Sequence, residues 1–367
     1  MFHVWTGLIV GTLFCVMSLS GSVLVLRPWI EDLLRPAWAA KSAERPSQIL
    51  TAASQNIEHM WPGSKIGSVT FPAQAGALPE FGIRTADNTQ LRVFVHPLSG
   101  EVLGTFSLRW LEWLTDLHHH LLVEGIGKRI VGFIGIFLFL SSMTGLLVWM
   151  RRANPWRLIR GRSLTSFDLH RSVGVVGNVL LLFVAATGVT IAFPQTVAFL
   201  LGGRPAAARQ QQRGHAESPL PGVALDEYFA AAKQAVPGGA VRQLRLSSAP
   251  GRPVTARVST AGDLRQEGST RITFETGTAH VRTVDRPEDG AFSQRIVLAA
   301  TPLHYAEWGG FPLRFVWCLI GLLPPVLFAS GVMMWWSPVA ARRKAADIVK
   351  ARGLAANDRE TEENLVA

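Results

Sequence analysis

Four predominantly apolar runs punctuate the chain, approximately Val4–Leu26, Ile130–Met150, Val173–Phe193 and Phe315–Trp336. A helix needs about 20 such residues to cross a hydrocarbon core of roughly 30 Å, so each run predicts a membrane-spanning helix. The first run lacks a basic leader and continues into Arg27-Pro28-Trp29 instead of a small-residue cleavage site, which predicts a retained helix and not a signal peptide. Between the runs the periodicity changes. Ile49–Met60 has helical spacing, Trp61-Pro62-Gly63 breaks it, and Leu91–Val95 alternates as a strand before the turn His96-Pro97-Leu98-Ser99-Gly100. The later segment repeats that order, with Tyr228–Val236 helical, Pro237-Gly238-Gly239 a breaker, Arg271–Phe274 a strand and Glu275-Thr276-Gly277 a turn. Gly202–Gly222, rich in Gly, Pro, Ala, Gln and Arg, reads as a flexible linker.

Composition agrees with a membrane class: of 367 residues 48% are hydrophobic and only 17% charged, and the mean hydropathy is +0.23. The formal charge of +10 does not point to nucleic acid, because no polar segment interleaves Lys and Arg with stacking aromatics. Part of the excess is topological. Arg151, Arg152, Arg157, Arg160 and Arg162 lie between the second and third runs, and Arg342, Arg343 and Lys344 follow the fourth. Short basic connections stay in the cytoplasm, so both termini are expected there, with about Pro28–Gly125 and Pro194–Pro312 outside. Trp149, Trp335 and Trp336 then lie at the inner lipid interface. Cys15 and Cys318 sit inside apolar runs, where neither a disulfide framework nor a thiolate zinc site can be argued. No nucleophile elbow, phosphate loop, Rossmann fingerprint or flavin motif is visible, and no side chain is assigned a catalytic role.

The halves of the chain match. His3 precedes Gly21, and His170 precedes Gly188, by the same 18 positions; His118 precedes Gly145, and His304 precedes Gly331, by the same 27. Helices one and three, and two and four, are therefore equivalent, in two parallel repeats expected about a pseudo-two-fold axis along the membrane normal. Equivalent residues face each other across such an axis. His3 would meet His170 near the cytoplasmic face and His118 would meet His304 near the outer face. Two facing imidazoles suit the two axial positions of a haem iron, and small residues such as Gly7, Gly174, Gly135 and Gly321 let a flat macrocycle approach a helix backbone. His118 lies about 12 residues before its apolar run, roughly 18 Å of straight helix, so Gly125 and Gly127 are expected to break the helix and fold it over the membrane surface. Gly309, Gly310 and Pro312 do the same after His304. His119 and His120 are neighbours of this pair, and either replaces His118 if the helical register differs.

At these residues the chain resembles the PepSY-associated transmembrane family, which includes ferric-siderophore reductases of the bacterial inner membrane. The resemblance spans about residues 2–340 and is carried by the His-x-x-x-Gly openings at His3 and His170, Leu117-His118-His119-His120-Leu121-Leu122, Leu303-His304, and Thr144-Gly145 followed by Trp149. It implies haem b, PepSY-like outer domains and a role in iron acquisition. The expected organisation is mainly α, with two extracytoplasmic α+β PepSY-like domains. In order these are a first membrane helix to residue 27, a PepSY-like domain over 28–117, an interfacial segment and second helix over 118–150, a cytoplasmic loop over 151–169 and a third helix over 170–193. A second PepSY-like domain follows over 194–303, then an interfacial segment and fourth helix over 304–337 and a cytoplasmic tail. The expected function is transfer of electrons, from quinol or a cytoplasmic donor through two haems, to a periplasmic ferric siderophore. The alternatives are a di-haem relay feeding a protein partner, and a haem-free PepSY sensor or binding module. Metal transport is disfavoured by the lack of a midplane carboxylate.

Overall fold

The computed structural model describes residues 2–36, 49–71, 78–151, 165–203, 223–246 and 253–336. The basic residues from Arg152 to Arg162, the tail from Arg342 and nearly all of the Gly202–Gly222 linker lie outside the described residues.

In chain order the elements are α1 (Phe2–Leu24), α2 (Arg27–Leu33), α3 (Leu50–Met60), β1 (Lys65–Thr70), β2 (Glu80–Arg84), β3 (Gln90–Val95), β4 (Val102–Thr105), α4 (Arg109–His120), α5 (Gly127–Met150) and α6 (Ser166–Ala192). The second half continues with α7 (Pro194–Leu200), α8 (Leu225–Ala235), β5 (Ala240–Arg245), β6 (Thr255–Ser259), β7 (Thr270–Phe274), β8 (Val281–Asp285), α9 (Phe292–His304), a 3-10 turn at Glu307–Gly309 and α10 (Gly310–Ile320). A last helix, α11, occupies 323–336. Four segments are long and apolar enough to cross a membrane: His3–Leu24, Gly127–Met150, Ser166–Ala192 and Glu307–Trp336. The fourth, expected as one run, is broken at residues 321–322. Pro324 and Pro325 lack the N–H groups that a continuous helix would use, and they fit only in the first turn of a new one.

The chain divides into two compact units. One comprises Met1–Ser22, Phe133–Ala185 and Leu319–Ala367. Its helices approach closely at small residues: Gly11 lies against Phe328, Gly177 against Leu323, and Gly321 against Ser18 and Ser22. Polar side chains point inward, with Thr6, Ser20, Ser141, Ser142, Asn178 and Ser330 all buried, while Ile9 (72% exposed) and Val176 (74% exposed) point out. A polar-in, apolar-out helix bundle is what a lipid solvent selects.

The other unit, Val23–Gly132 with Ala186–Cys318, holds an eight-stranded antiparallel sheet in the order β4-β3-β2-β1-β5-β6-β7-β8. Two separate α+β domains are expected from the sequence; here their strands form one sheet, because β1 pairs with β5 through Ser68↔Arg245, Val69↔Leu244 and Thr70↔Gln243. Each half alone would leave a raw edge of unpaired N–H and C=O groups, and the pairing removes both edges at once. α3 and α8 cover one face, and a single core joins Leu50, Ile57, Val69, Phe81 and Val93 of the first half to Tyr228, Leu244, Val258, Ile272 and Phe274 of the second. The second half also caps the first. The Asp226 carboxylate of α8 accepts hydrogen bonds from Leu50 N at 3.0 Å, Thr51 N at 2.9 Å and Thr51 Oγ1 at 2.6 Å, and so satisfies the N-terminus of α3, which has no side-chain cap of its own. Because two membrane-length helices separate β1 from β5, their pairing also places both long connections on the same side of any membrane those helices cross.

Candidate functional site

His3 lies in the first turn of α1 and His170 in the second turn of α6, and the structure brings the two rings to a centroid separation of 6.1 Å with planes 77° apart. Each ring has one nitrogen already committed. His3 Nδ1 is 3.0 Å from the Ser141 carbonyl oxygen, and His170 Nδ1 is 2.9 Å from the Leu327 carbonyl oxygen and 3.1 Å from Ser330 Oγ. A carbonyl only accepts, so both Nδ1 atoms donate, and the neutral tautomer leaves Nε2 with a free lone pair. That is the protonation pattern of a metal-ligating histidine whose orientation is fixed by its other nitrogen. The two acceptors are equivalent in sequence, since Ser141 and Leu327 each stand four residues before a glycine, Gly145 and Gly331.

The second pair belongs to the other unit. α4 ends at His120 because Leu121 and Leu122 adopt left-handed backbone (φ 51° and 58°), Gly125 follows at φ 74°, and α5 begins at Gly127. A side chain at Gly127 would run into the His120 carbonyl, so the tightness of this turn requires glycine. α9 ends at His304, and Ala306 and Gly310 take φ of 50° and 59° around the 3-10 turn before α10. These breaks bring His118 and His304 to a centroid separation of 6.5 Å with planes 41° apart. His304 Nδ1 is 3.0 Å from Thr187 Oγ1. Of the three consecutive histidines, His118 thus faces His304, while His119 Nε2 lies 3.3 Å from the Tyr305 hydroxyl. Burial, then repulsion by His120, pushes the His119 pKa down, and burial pushes that of Tyr305 up, so both are neutral at pH 7.

The residues fit a haem. An iron bonded at roughly 2 Å to one nitrogen of each of two imidazoles puts their ring centroids about 6 Å apart, close to both observed separations. Among the described residues no three or more His, Cys, Asp or Glu side chains gather as a metal cluster. Axial ligation of haem needs only two, because the macrocycle supplies the other four nitrogens. The glycines have two uses. A Cβ on Gly145 would lie 3.1 Å from the His3 ring, one on Gly188 3.2 Å from the His304 ring and one on Gly331 3.5 Å from the His170 ring, so these seat imidazoles of neighbouring helices. Spacing in the sequence does not distinguish this use from room for a macrocycle. Of the small residues expected to admit a macrocycle, Gly7, one turn from His3, would meet nothing within 4 Å, whereas Gly174 lies against Leu327 and Gly321 against Ser18 and Ser22, so those two are used in helix packing. Thr187, Ser330 and Tyr305 were not singled out from sequence; a hydroxyl inside an apolar run is the signal that marks the first two.

Comparison with known proteins gives one curated relative, a protein of Pseudomonas aeruginosa, PA4219, described as uncharacterised, which is 29% identical over 256 residues. The match covers 61% of this chain and 63% of that relative's length. The model of the family described as "PepSY-associated TM region" matches residues 1–337, a stretch that includes all four membrane-length segments and all four paired histidines, and the chain belongs to that family.

Proposed function

We propose that this chain is a haem-containing reductase of the bacterial inner membrane, which carries electrons across the bilayer to a periplasmic ferric siderophore and releases Fe(II) for uptake. The observation that carries the reading is the pair of histidine couples, each at the separation two axial imidazoles would have around one iron, and three of the four rings with Nδ1 already hydrogen-bonded. His3 with His170, and His118 with His304, would hold two haems b. Haem supplies one-electron chemistry at the iron; the protein sets ligand orientation and access. Arginine-rich short connections favour cytoplasmic termini and an outer position for the His118–His304 pair, where a substrate too polar to enter lipid can reach it. Quinol or a separate cytoplasmic donor would supply the electrons.

The test is an absorption spectrum of the detergent-purified protein before and after dithionite, with haem quantified in the four His→Ala variants. Reducible bands of six-coordinate haem b are expected, with His118→Ala and His304→Ala each removing the same half of the haem and His3→Ala and His170→Ala the other half. Dithionite-reduced protein should be reoxidised by a ferric siderophore, with Fe(II) captured by ferrozine. A protein that carries haem yet stays reduced with every ferric chelate would instead be a relay to a protein partner, and one that takes up no haem would be a sensor or binding module.

A further inference from the structure

The two halves of the sheet carry equivalent positions, and on the face opposite the core these positions have diverged in charge. In the first half Arg92 of β3 stands opposite Gly82 of β2. Its guanidinium is held by Glu80 at 2.7 and 2.8 Å and by Glu31 of α2 at 3.0 Å, so one cation meets two carboxylates. A Cβ at Gly82 would lie 2.7 Å from Ser68 Oγ, which leaves no room for another side chain there. In the second half the matching register pair is Arg257 of β6 opposite Arg271 of β7. Arg257 replaces Gly82, Thr255 replaces Glu80, Ala198 of α7 replaces Glu31, and Arg245 replaces Thr70. Thus the half that lacks both carboxylates carries two more arginines.

The positions form a row across the strands, Gln243–Arg257–Arg271–Asp285, with Arg245 at the end of β5 and Arg265 entering from the β6–β7 connection. Glu267 lies 3.1 Å from Arg265 and 3.9 Å from Arg257, and Asp285 stands opposite Arg271. Four guanidiniums against these two carboxylates and the adjoining Glu307 leave a local excess of one positive charge. Arg257 keeps only 19% of its side chain exposed. Burial, then the neighbouring charges with Arg265 foremost, pushes its pKa down to about 10, so its charge is retained at neutral pH. Two polar atoms of the cluster, Gln243 Oε1 and Arg265 Nε, are buried without a hydrogen-bond partner among the described residues. Like arginines directly opposite in a ladder repel, and a further anion shared between them would lower that cost. The cluster also abuts the segment that follows His304, since Gln266 N donates to the Glu307 carboxylate at 3.0 Å and Tyr305 feels the charges of Arg265 and Glu267.

We infer that the row centred on Arg257, with Arg245, Arg265 and Arg271, is a binding site for a multiply anionic, oxygen-rich metal chelate beside the His118–His304 pair. As an assignment of substrate class it rests on the reductase reading; as an anion site it does not. Guanidinium forks match carboxylate and catecholate oxygens in pairs, and the charge excess favours a chelate with net negative charge over a neutral or cationic one.

The test uses the full-length protein and gallium(III) citrate, a redox-inert anionic chelate, in isothermal titration calorimetry. Wild type should bind it, Arg257→Gln and Arg271→Gln should each weaken binding at least tenfold, and Arg257→Lys should retain most of it. Arg84→Gln, in the first half, should leave binding unchanged. A cationic gallium tris-hydroxamate should show no dependence on these arginines. Wild-type protein that fails to bind gallium citrate, or variants that bind it as wild type does, would overturn the inference. So would Arg257-dependent binding to phosphatidylglycerol nanodiscs without gallium citrate binding, because the anion would then be a lipid headgroup. Gallium accepts no electron, so binding in a protein without haem would refute the reductase and leave the anion site standing, and haem reduction without binding would do the reverse.

Discussion

An imidazole offers a metal one nitrogen, and the partner of the other decides which. In α6 that decision for His304 falls to Thr187, an isosteric change away from losing its hydroxyl. Thr187→Val should therefore keep the fold and weaken haem retention at the outer pair, by roughly 10–100-fold as for other supporting partners of metal ligands, while the His3–His170 pair keeps its haem. Haem titration into the apo-protein, with the two sites resolved by their reduction potentials, checks it. Gly7 supplies a complementary case, because the space next to it is open. Gly7→Leu should fold normally yet load only about half the wild-type haem, with the loss at the inner pair; equal loading of both sites would show that the macrocycle does not use that space. At this scale the pairing of the rings was readable in sequence, since the four histidines stand at repeated offsets from glycine, a pattern visible within one chain. Their carbonyl and hydroxyl partners were not readable, since Leu327 acts through its backbone and nothing in its side chain marks it.

Several short elements carry weaker marks in the sequence. α4 has its leucines Leu111, Leu114 and Leu117 at helical spacing, but they lie among polar residues and tryptophans; in β1 and β5 a bulge interrupts the alternation, while β2 and β6 alternate as β3 and β7 do and were missed without such a reason. The glycine breaks before α5 and α10, by contrast, fell where Gly125, Gly127, Gly309 and Gly310 predict them. What fixes α2 is charge: Glu31 accepts from Arg27 at 2.7 Å and Arg92 at 3.0 Å, and Arg27 Nη1 donates to Thr115 of α4 at 3.2 Å, one turn before His118. Burial alone would raise the Glu31 pKa, but the two arginines outweigh it and hold the carboxyl below the usual carboxylate range. A group depressed in the folded state stabilises above its unfolded pKa, and that stabilisation is lost as pH falls through about 4 toward the folded value. Acidification from pH 6 to pH 3 should accordingly loosen α2 and α4 in the wild type, read as a drop in melting temperature. Glu31→Gln should lose roughly 1 kcal/mol at neutral pH and show a smaller acid-dependent drop.

At the scale of the molecule, the proposed orientation rests on arginines in a short connection, and the sheet adds that residues 65–70 and 240–245 share one side of any membrane the helices cross. A phosphatase fused near Gly262 should be active in intact cells and one fused near Arg160 silent; the opposite pattern would exchange the inner and outer histidine pairs. The pairing of the two segments was not legible, because a strand edge has no composition that names its partner and Ser68 lies 177 positions from Arg245. That separation orders the birth of the protein. A ribosome releases β1 well before β5, and between them come two membrane-length helices that must enter the bilayer first. During that interval the early half-sheet waits with an open edge, a template for pairing with another nascent copy. The late strand therefore serves as the internal chaperone of the early one, and a chain severed between α5 and α6 should regain its sheet when both pieces are made in the same cell.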